Sequence, residues 1–209
     1  MMKRLTALSV ALLSVWQVLS AQVSDVYAAF VGNISDARLC FSYSFTGGFE
    51  TKVTGKGEAT VQDDCFLLDG NGLRIYCDGK TASTLDPAAK EVIIESLEED
   101  SGNYINPAQL LGTVDKVFRC KSQTPVSYAG HNAVKVILEP RRNPSEVSRI
   151  TLYLSRDGKA AYGLSMSESD GSSTDFFIPS FKILPRGPVS DFRLDTSSLG
   201  SGYIITDLR

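Results

Sequence analysis

Side-chain catalysis needs a base placed against a nucleophile, or a bound metal, so the residues able to supply these come first. The chain has a single histidine, His131, within Ala129-Gly130-His131-Asn132, which reads as a hairpin turn. A histidine there is expected to be solvated rather than catalytic. Gly163-Leu164-Ser165-Met166-Ser167 approaches a G-x-S-x-G nucleophile elbow. It lacks the last glycine, and it reads as strand rather than as the strand-to-helix turn that exposes such a serine. The carboxylate pairs Asp63-Asp64 and Glu98-Glu99 fall in connectors, where solvation is the usual reason for them. The glycine-rich turns match neither phosphate-binding fingerprint. Four cysteines without C-x-x-C spacing, and only one histidine, make a zinc site a poor expectation. No enzyme, cofactor or metal is therefore expected, although a hydrolase whose carboxylates meet only in space stays open.

The elements that position these residues are mostly strands. From Val61 to Glu95 the sequence reads as four short strands and three turns. Cys65 to Leu68 is followed by Asp69-Gly70-Asn71-Gly72, Leu73 to Cys77 by Asp78-Gly79, and Thr81 to Leu85 by Asp86-Pro87, before Glu91 to Glu95. Asp-Gly and Asn-Gly supply the positive φ of tight hairpins, and β-branched and aromatic residues fill the runs between. If Gly70, Asn71 and Gly72 form a three-residue loop, Cys65 faces Cys77, and Leu67 and Ile75 share their face. A two-residue loop would put Cys65 opposite Tyr76. A Cys65–Cys77 disulfide is favoured in an exported chain, with Cys40–Cys120 as a second pair; four buried free thiols are the alternative.

Export is expected from the start of the chain. Met-Met-Lys-Arg, an apolar run from Leu5 to Leu19, and Leu19-Ser20-Ala21 make a secretory signal peptide over residues 1–21, cut after Ala21. The run is shorter than the ~20 residues of a spanning helix. Loss of Lys3 and Arg4 takes the net charge from -3 to -5, with no basic stripe, which argues against nucleic acid as a partner. Residues 22–209 should form one domain.

Ser24 can cap a helix that carries Val26, Tyr27, Phe30, Val31 and Ile34 on one stripe. Leu39, Phe41, Tyr43 and Phe45 alternate with Cys40, Ser42 and Ser44, so this strand buries one face. The strand returning from Thr51 to Gln62 places Val53, Gly55, Gly57, Ala59 and Val61 together. Such small residues point to a bend, or to close approach by a helix or ligand. Asn106-Pro107 starts a short helix through Leu111. Val114 to Lys121, Val126 to Tyr128, Ala133 to Leu138, Ile150 to Leu154, Ala160 to Glu168, Thr174 to Ile178 and Phe192 to Asp195 read as strands, and Tyr203-Ile204-Ile205 as a last one. Pro179 is read as interrupting its strand. The sum is about ten strands and two or three helices, too few to cover a broad sheet on both faces. The expected fold is mainly β: an unclosed, strongly curved antiparallel half-barrel whose concave apolar face is covered by helices.

Several pieces together carry a family resemblance. They are the helix Asp25 to Ile34 with Phe41-Ser42-Tyr43-Ser44-Phe45, the run Gly72-Leu73-Arg74-Ile75-Tyr76-Cys77-Asp78-Gly79-Lys80-Thr81, Asp86 with Lys90-Glu91-Val92, Asn106-Pro107 with Leu110-Leu111, and the ending Tyr203 to Arg209. The sequence resembles the outer-membrane lipoprotein carrier family, LolA, in its Bacteroides-type form. The resemblance implies a monomeric periplasmic carrier that binds lipoprotein acyl chains and passes them from an inner-membrane transporter to an outer-membrane acceptor. A sensor or carrier of another lipid on the same fold is the alternative. The family often has a tryptophan where this chain has Ser83, and its lid-latching arginine could be Arg38 or Arg74. Residues expected to line the cavity or lid are Phe30, Phe41, Tyr43, Phe45, Val61, Leu67, Ile75, Leu85, Ile94, Leu110, Leu111 and Met166. Each would serve equally well as plain core.

Overall fold

The computed structural model describes residues 26–48, 51–97, 111, 114–142 and 146–209. Helix α1 (Val26–Ile34) is followed by β1 (Arg38–Gly47), β2 (Val53–Gln62), β3 (Cys65–Gly70), β4 (Leu73–Cys77), β5 (Thr81–Asp86) and β6 (Glu91–Ser96). Then come β7 (Phe118–Tyr128), β8 (His131–Pro140), β9 (Val147–Ser155), β10 (Ala161–Glu168), β11 (Ser173–Leu184) and β12 (Ile204–Asp207). All twelve belong to one open sheet, in the order β12-β6-β5-β4-β3-β2-β1-β11-β10-β9-β8-β7. Every pair is antiparallel except β12 with β6, which is parallel. The sheet is a half-barrel: one apolar cluster runs from Cys77 on β4 round to Phe118 on β7, with Phe30 of α1 inside the curve.

β1 sits near the middle, and its alternation decides which face is buried. Leu39 and Phe41 are buried and Tyr43 and Phe45 half-buried on the concave face. Opposite them on β2 stand Val61, Ala59, Gly57 and Gly55 in turn. The glycines are there because the aromatic rings of β1 lie over them. A Cβ on Gly55 would come 2.4 Å from the Phe45 ring, and one on Gly57 would come 2.5 Å from the carbonyl oxygen of Asp69. Small residues on one strand thus make room for large ones on the next, and let the sheet bend.

The first hairpin of the meander differs from its expected register. The loop is the two-residue Asn71-Gly72, with Asn71 at φ 55 and Gly72 at φ 83. Gly70 therefore faces Leu73, Leu68 faces Ile75, Leu67 faces Tyr76, and Phe66 faces Cys77, so Cys65 stands opposite neither Cys77 nor Tyr76, the two positions expected for a three- and a two-residue loop. Cys65 lies one place away from Cys77, on the other side of the pleat, and a one-residue offset carries a side chain to the opposite face. The Cβ vectors of such neighbours diverge, which disfavours a bridge. All four cysteines are free thiols, with Cys65 and Cys77 buried. Burial pushes the Cys77 thiol up to about 11 and raises that of Cys65 as well. Both are held away from the reactive thiolate.

Three other expectations change. Residues 114–117 are helical, and the strand begins only at Phe118. Pro179 does not end its strand: β11 runs through it because the pairing slips there, from Ser42↔Ser180 to Ser44↔Phe177. Two β11 residues, Ile178 and Pro179, then oppose Tyr43 alone, and a bulge needs no N–H from its proline. Val189–Phe192 is a 3-10 turn rather than the start of a strand.

On the convex face, Arg38 ties down the chain after β11. Its Nη1 meets Asp191 at 2.8 Å, and its guanidinium carbon stands 5.1 Å from the Phe192 ring centroid. Arg193 pairs with Asp78 at 2.8 Å and Arg186 with Asp63. Phe192 is buried beside β3 by this strap.

Glycine at position 57 is required by the neighbouring backbone. Gly57→Ala should destabilise the fold by about 1–3 kcal/mol, since the clash is with a carbonyl and not with the end of a flexible side chain. Gly32→Ala, whose Cβ meets nothing within 4 Å, should instead stabilise by roughly 0.5–1 kcal/mol through helix propensity. Urea midpoints at unchanged slope should move in opposite directions for the two variants.

Candidate functional site

Among the described residues, the concave face divides into a half covered by α1 and a half that none of them covers. Under α1, Val26, Phe30 and Ile34 are buried. They share a cluster with Val61, Leu111, Val114 and Phe118, all at most 1% exposed, and with Ile150, Leu152 and Leu154 of β9. Beyond the helix, Tyr43, Phe45, Leu68, Ile75 and Phe176 remain only half-buried on the same face. An aromatic row joins the halves. Phe30 meets Phe181 at 6.1 Å between ring centroids, and Phe181 stacks on Phe41 at 6.0 Å. Phe41 leads to Tyr43 at 6.4 Å, and Tyr43 and Phe45 both reach Phe176, at 6.1 and 5.7 Å. The row runs from beneath the helix out to the rim of the sheet.

The expected lining residues sort by face. Phe30, Phe41, Tyr43, Val61, Ile75, Leu111 and Met166 all pack in or against the concave cluster, and Phe45 extends it through its ring contacts with Tyr43 and Phe176. Leu67, Leu85 and Ile94 do not. Leu67 is in a row with Tyr76, Ser83 and Ile94, and Leu85 with Arg74 and Val92, on the convex side. Leu85 and Val92 are buried there, outside the main cluster. Ser83 is in that convex row too, so its small size does not enlarge the concave face. Leu110 and the start of its expected helix lie outside the described residues. Leu68, Phe176 and Phe181 were not expected on this face; the alternation of β1 and the register of its neighbours place them.

Neither candidate arginine latches the helix. Arg38 holds the convex strap, and Arg74 forms an exposed pair with Asp69 at 2.7 Å. Helix α1 is held instead by polar contacts to the chain around it. Asn33 donates from Nδ2 to the carbonyl of Gly158 in the β9–β10 turn at 2.9 Å, and the Tyr27 amide donates to Gln123 Oε1 at 3.0 Å. Gly158 has φ +67, and a Cβ there would come 2.7 Å from the Phe30 amide nitrogen. The turn and the helix backbone touch directly only because that residue is glycine. The Tyr27 hydroxyl is buried and has no hydrogen-bond partner among the described residues. Burial, helped by the negative charge of Asp115, pushes its pKa up to about 12.

Among the described residues, the candidate reactive groups fall on separate elements. His131 is exposed with its ring stacked on Tyr162 at 4.2 Å, and Ser165 lies in the middle of β10. Asp63 stands in the β2–β3 turn, where its hydrogen bond to Arg186 holds its carboxyl below the usual range. Among the described residues, no group of three or more histidine, cysteine, aspartate or glutamate side chains could hold a metal. The pair Glu98-Glu99 lies outside the described residues.

The sequence model of a family described as outer membrane lipoprotein carrier protein LolA matches residues 71–195. No curated protein matches this sequence. Among solved structures, an uncharacterized conserved protein from Thermus thermophilus is similar at 9% identity, over 88% of this chain and 98% of that one, with a TM-score of 0.50. A protein described as an outer membrane lipoprotein-sorting domain, from Vibrio parahaemolyticus, is 10% identical over 81% of this chain and 95% of its own, with a TM-score of 0.45. A LolA superfamily protein from Nitrosomonas europaea is 9% identical over 80% of this chain and 97% of its own, with a TM-score of 0.42. These identities bear on fold alone.

Two substitutions should act on the helix and not on the sheet. Gly158→Ala should loosen α1 at a cost of roughly 1–3 kcal/mol, read as faster hydrogen exchange at the Phe30 amide with the β8 and β9 amides unchanged. Tyr27 has a raised pKa in the folded state, so its contribution is intact below the unfolded value of about 10 and is lost as pH rises toward about 12. Tyr27→Phe should remove that part of the alkaline loss of stability and cost nothing at pH ~7, because no hydrogen bond is given up. Chemical denaturation of both proteins across that pH range checks it.

Proposed function

The chain belongs to the LolA family of outer membrane lipoprotein carrier proteins, and from that premise we propose that it carries lipoprotein acyl chains across the periplasm. It would be exported on residues 1–21, take the acylated protein from an inner-membrane transporter, and deliver it to an outer-membrane acceptor as a monomer. The half-covered apolar face is the observation that supports this reading. An acyl chain in water costs about 0.8 kcal/mol per exposed methylene, so a carrier must offer an apolar surface in exchange. That surface must be shielded when empty, since a large exposed apolar patch invites association. Helix α1 shields one half through three buried side chains. Tyr43, Phe45, Leu68, Ile75 and Phe176 form the half that a chain would meet first.

The order of events follows from this arrangement. The acyl chain lies on the bare aromatic row, then advances toward Phe41 and Phe181 as Phe30 withdraws with its helix. Release reverses the exchange when a better apolar acceptor is offered. No bond is made or broken, and the direction is set by relative affinity at the two membranes.

The purified mature protein should bind a triacylated lipoprotein and not the same polypeptide without its lipid; equal binding of the two would reject the carrier reading. Ile75→Asp should weaken capture at least about tenfold by placing a charge on the groove. Ser44→Asp, on the other side of β1, should leave it unchanged. Gel filtration of the mixtures, with the lipoprotein followed by immunoblot, reads all four cases.

A further inference from the structure

The sheet is not continuous between β10 and β11. Their pairing ends at Gly163↔Phe177. β11 continues to Leu184 against β1 alone among the described strands. β10 turns away because its pairing with β9 slips between Ala161 and Gly163, and because the β9–β10 turn is drawn up to α1 by the Asn33–Gly158 hydrogen bond. A slot of about 400 Å³ opens where the strands part, at the small end of ligand-site volumes. Its lining comes from both faces of the sheet. Ile178, Phe181 and Ala161 belong to or pack on the concave cluster. Ser180, Lys182 and His131 stand at the convex mouth. Its lining thus includes residues of both faces, among them Phe181, whose ring meets Phe30 at 6.1 Å.

The chemistry of the two ends differs. The inner end is apolar. The mouth carries Lys182 and His131, and no carboxylate is among the lining residues. Neither residue is in an ion pair among the described residues. An added peptide strand is a poor occupant, because Pro179 removes a backbone donor from the middle of the free β11 edge. We propose that this slot is a second binding site, for a single-chain amphiphile with an anionic head of the fatty-acid class. Its head group lies at Lys182 and His131, and its chain passes through the sheet onto Ile178 and Phe181. The site is distinct from the bare half of the concave face. Its occupant differs from a lipoprotein in presenting a free anion beside a single chain.

Calorimetric titration of the mature protein with myristate, with myristate methyl ester and with inorganic phosphate tests the assignment. Myristate should bind, the ester should bind more weakly, and phosphate alone should not bind. Lys182→Glu should weaken myristate about fivefold, the scale of an exposed ion pair reversed in sign, and leave the ester unchanged. Ser180→Trp, at an exposed position of the mouth, should fill the slot and abolish myristate binding while lipoprotein capture persists. Ile75→Asp should show the opposite pattern. Equal binding of acid and ester, untouched by Lys182→Glu, would overturn the site. So would myristate binding lost in Ile75→Asp and retained in Ser180→Trp, which would put the acid in the groove. Displacement of myristate by an unacylated extended peptide would overturn it in favour of a strand-pairing partner. Failure of lipoprotein capture in the unsubstituted protein would remove the carrier reading and leave the slot standing.

Discussion

An aromatic side chain set close over a glycine of another strand is the contact on which this sheet depends. Phe45 covers Gly55, Tyr43 approaches Gly57, and Tyr128 covers Gly163, each so closely that a Cβ would come within 3.0 Å of the ring or its hydroxyl. A strand with glycine on its inner face packs little of its own and bends readily; the ring supplies the missing apolar surface and fixes the register. At Gly55 and Gly57 the consequence is a broad apolar face made of side chains from β1. At Gly163 the ring is from β7 and also stacks on Tyr153 at 3.8 Å, on the convex side. That contact sits where β10 leaves β11, so the same device that curves the sheet also marks the place where it opens.

The two faces are closed by different forces. The convex strap is bound by charge: Arg38 with Asp191, Arg193 with Asp78, Arg186 with Asp63. Gln62 adds hydrogen bonds to both the amide and the carbonyl of Gly187, at 2.9 and 3.0 Å. Directional bonds such as these fix one arrangement. The concave cover is held mainly by apolar contact, with Asn33–Gly158 and Tyr27–Gln123 as its long-range hydrogen bonds. Apolar contact is non-directional, so one greasy surface can replace another, at the cost here of those two hydrogen bonds. A cover built this way can be exchanged for an acyl chain; a cover built like the strap could not.

Much of this was legible in the sequence, and the limits have physical causes. The alternation of Leu39, Phe41, Tyr43 and Phe45 gave the concave face, and the Asp-Gly and Asn-Gly pairs gave the turns. The hairpin at Asn71-Gly72 is not fixed by its sequence in this way. Gly70 and Gly72 both tolerate loop conformations, so composition does not choose between a two- and a three-residue loop. A shift of one residue sends every side chain to the other face. Leu67 moved to the convex side for that reason, and the cysteine pair came out of register. Leu85 and Ile94 are apolar, and apolarity without a register does not choose their face. Phe181 was missed because Pro179 reads as a strand end until its bulge partner, Tyr43, is known. Val114, Val117 and Phe118 fit helical spacing as well as a strand boundary, so the switch at Phe118 is set by tertiary packing. The Asn33–Gly158 latch joins positions 125 residues apart, a pairing no local pattern encodes.

Whether an acyl chain can displace α1 is a question of magnitudes. The helix buries Val26, Phe30 and Ile34 on the sheet. At about 1.5–3 kcal/mol per buried side chain, that contact is worth about 5–9 kcal/mol before any ordering cost. A methylene brought out of water yields about 0.8 kcal/mol, so roughly six to eleven methylenes match the helix. The bare half of the groove lowers that threshold. A chain that first lies on Phe45, Tyr43 and Phe176 gains part of its burial before Phe30 has to move. Displacement then proceeds along the aromatic row, each ring exchanging one apolar neighbour for another. Two covers of similar strength on one surface are what a carrier requires: a much stronger helix would exclude the cargo, and a much weaker one would leave the empty face exposed to water.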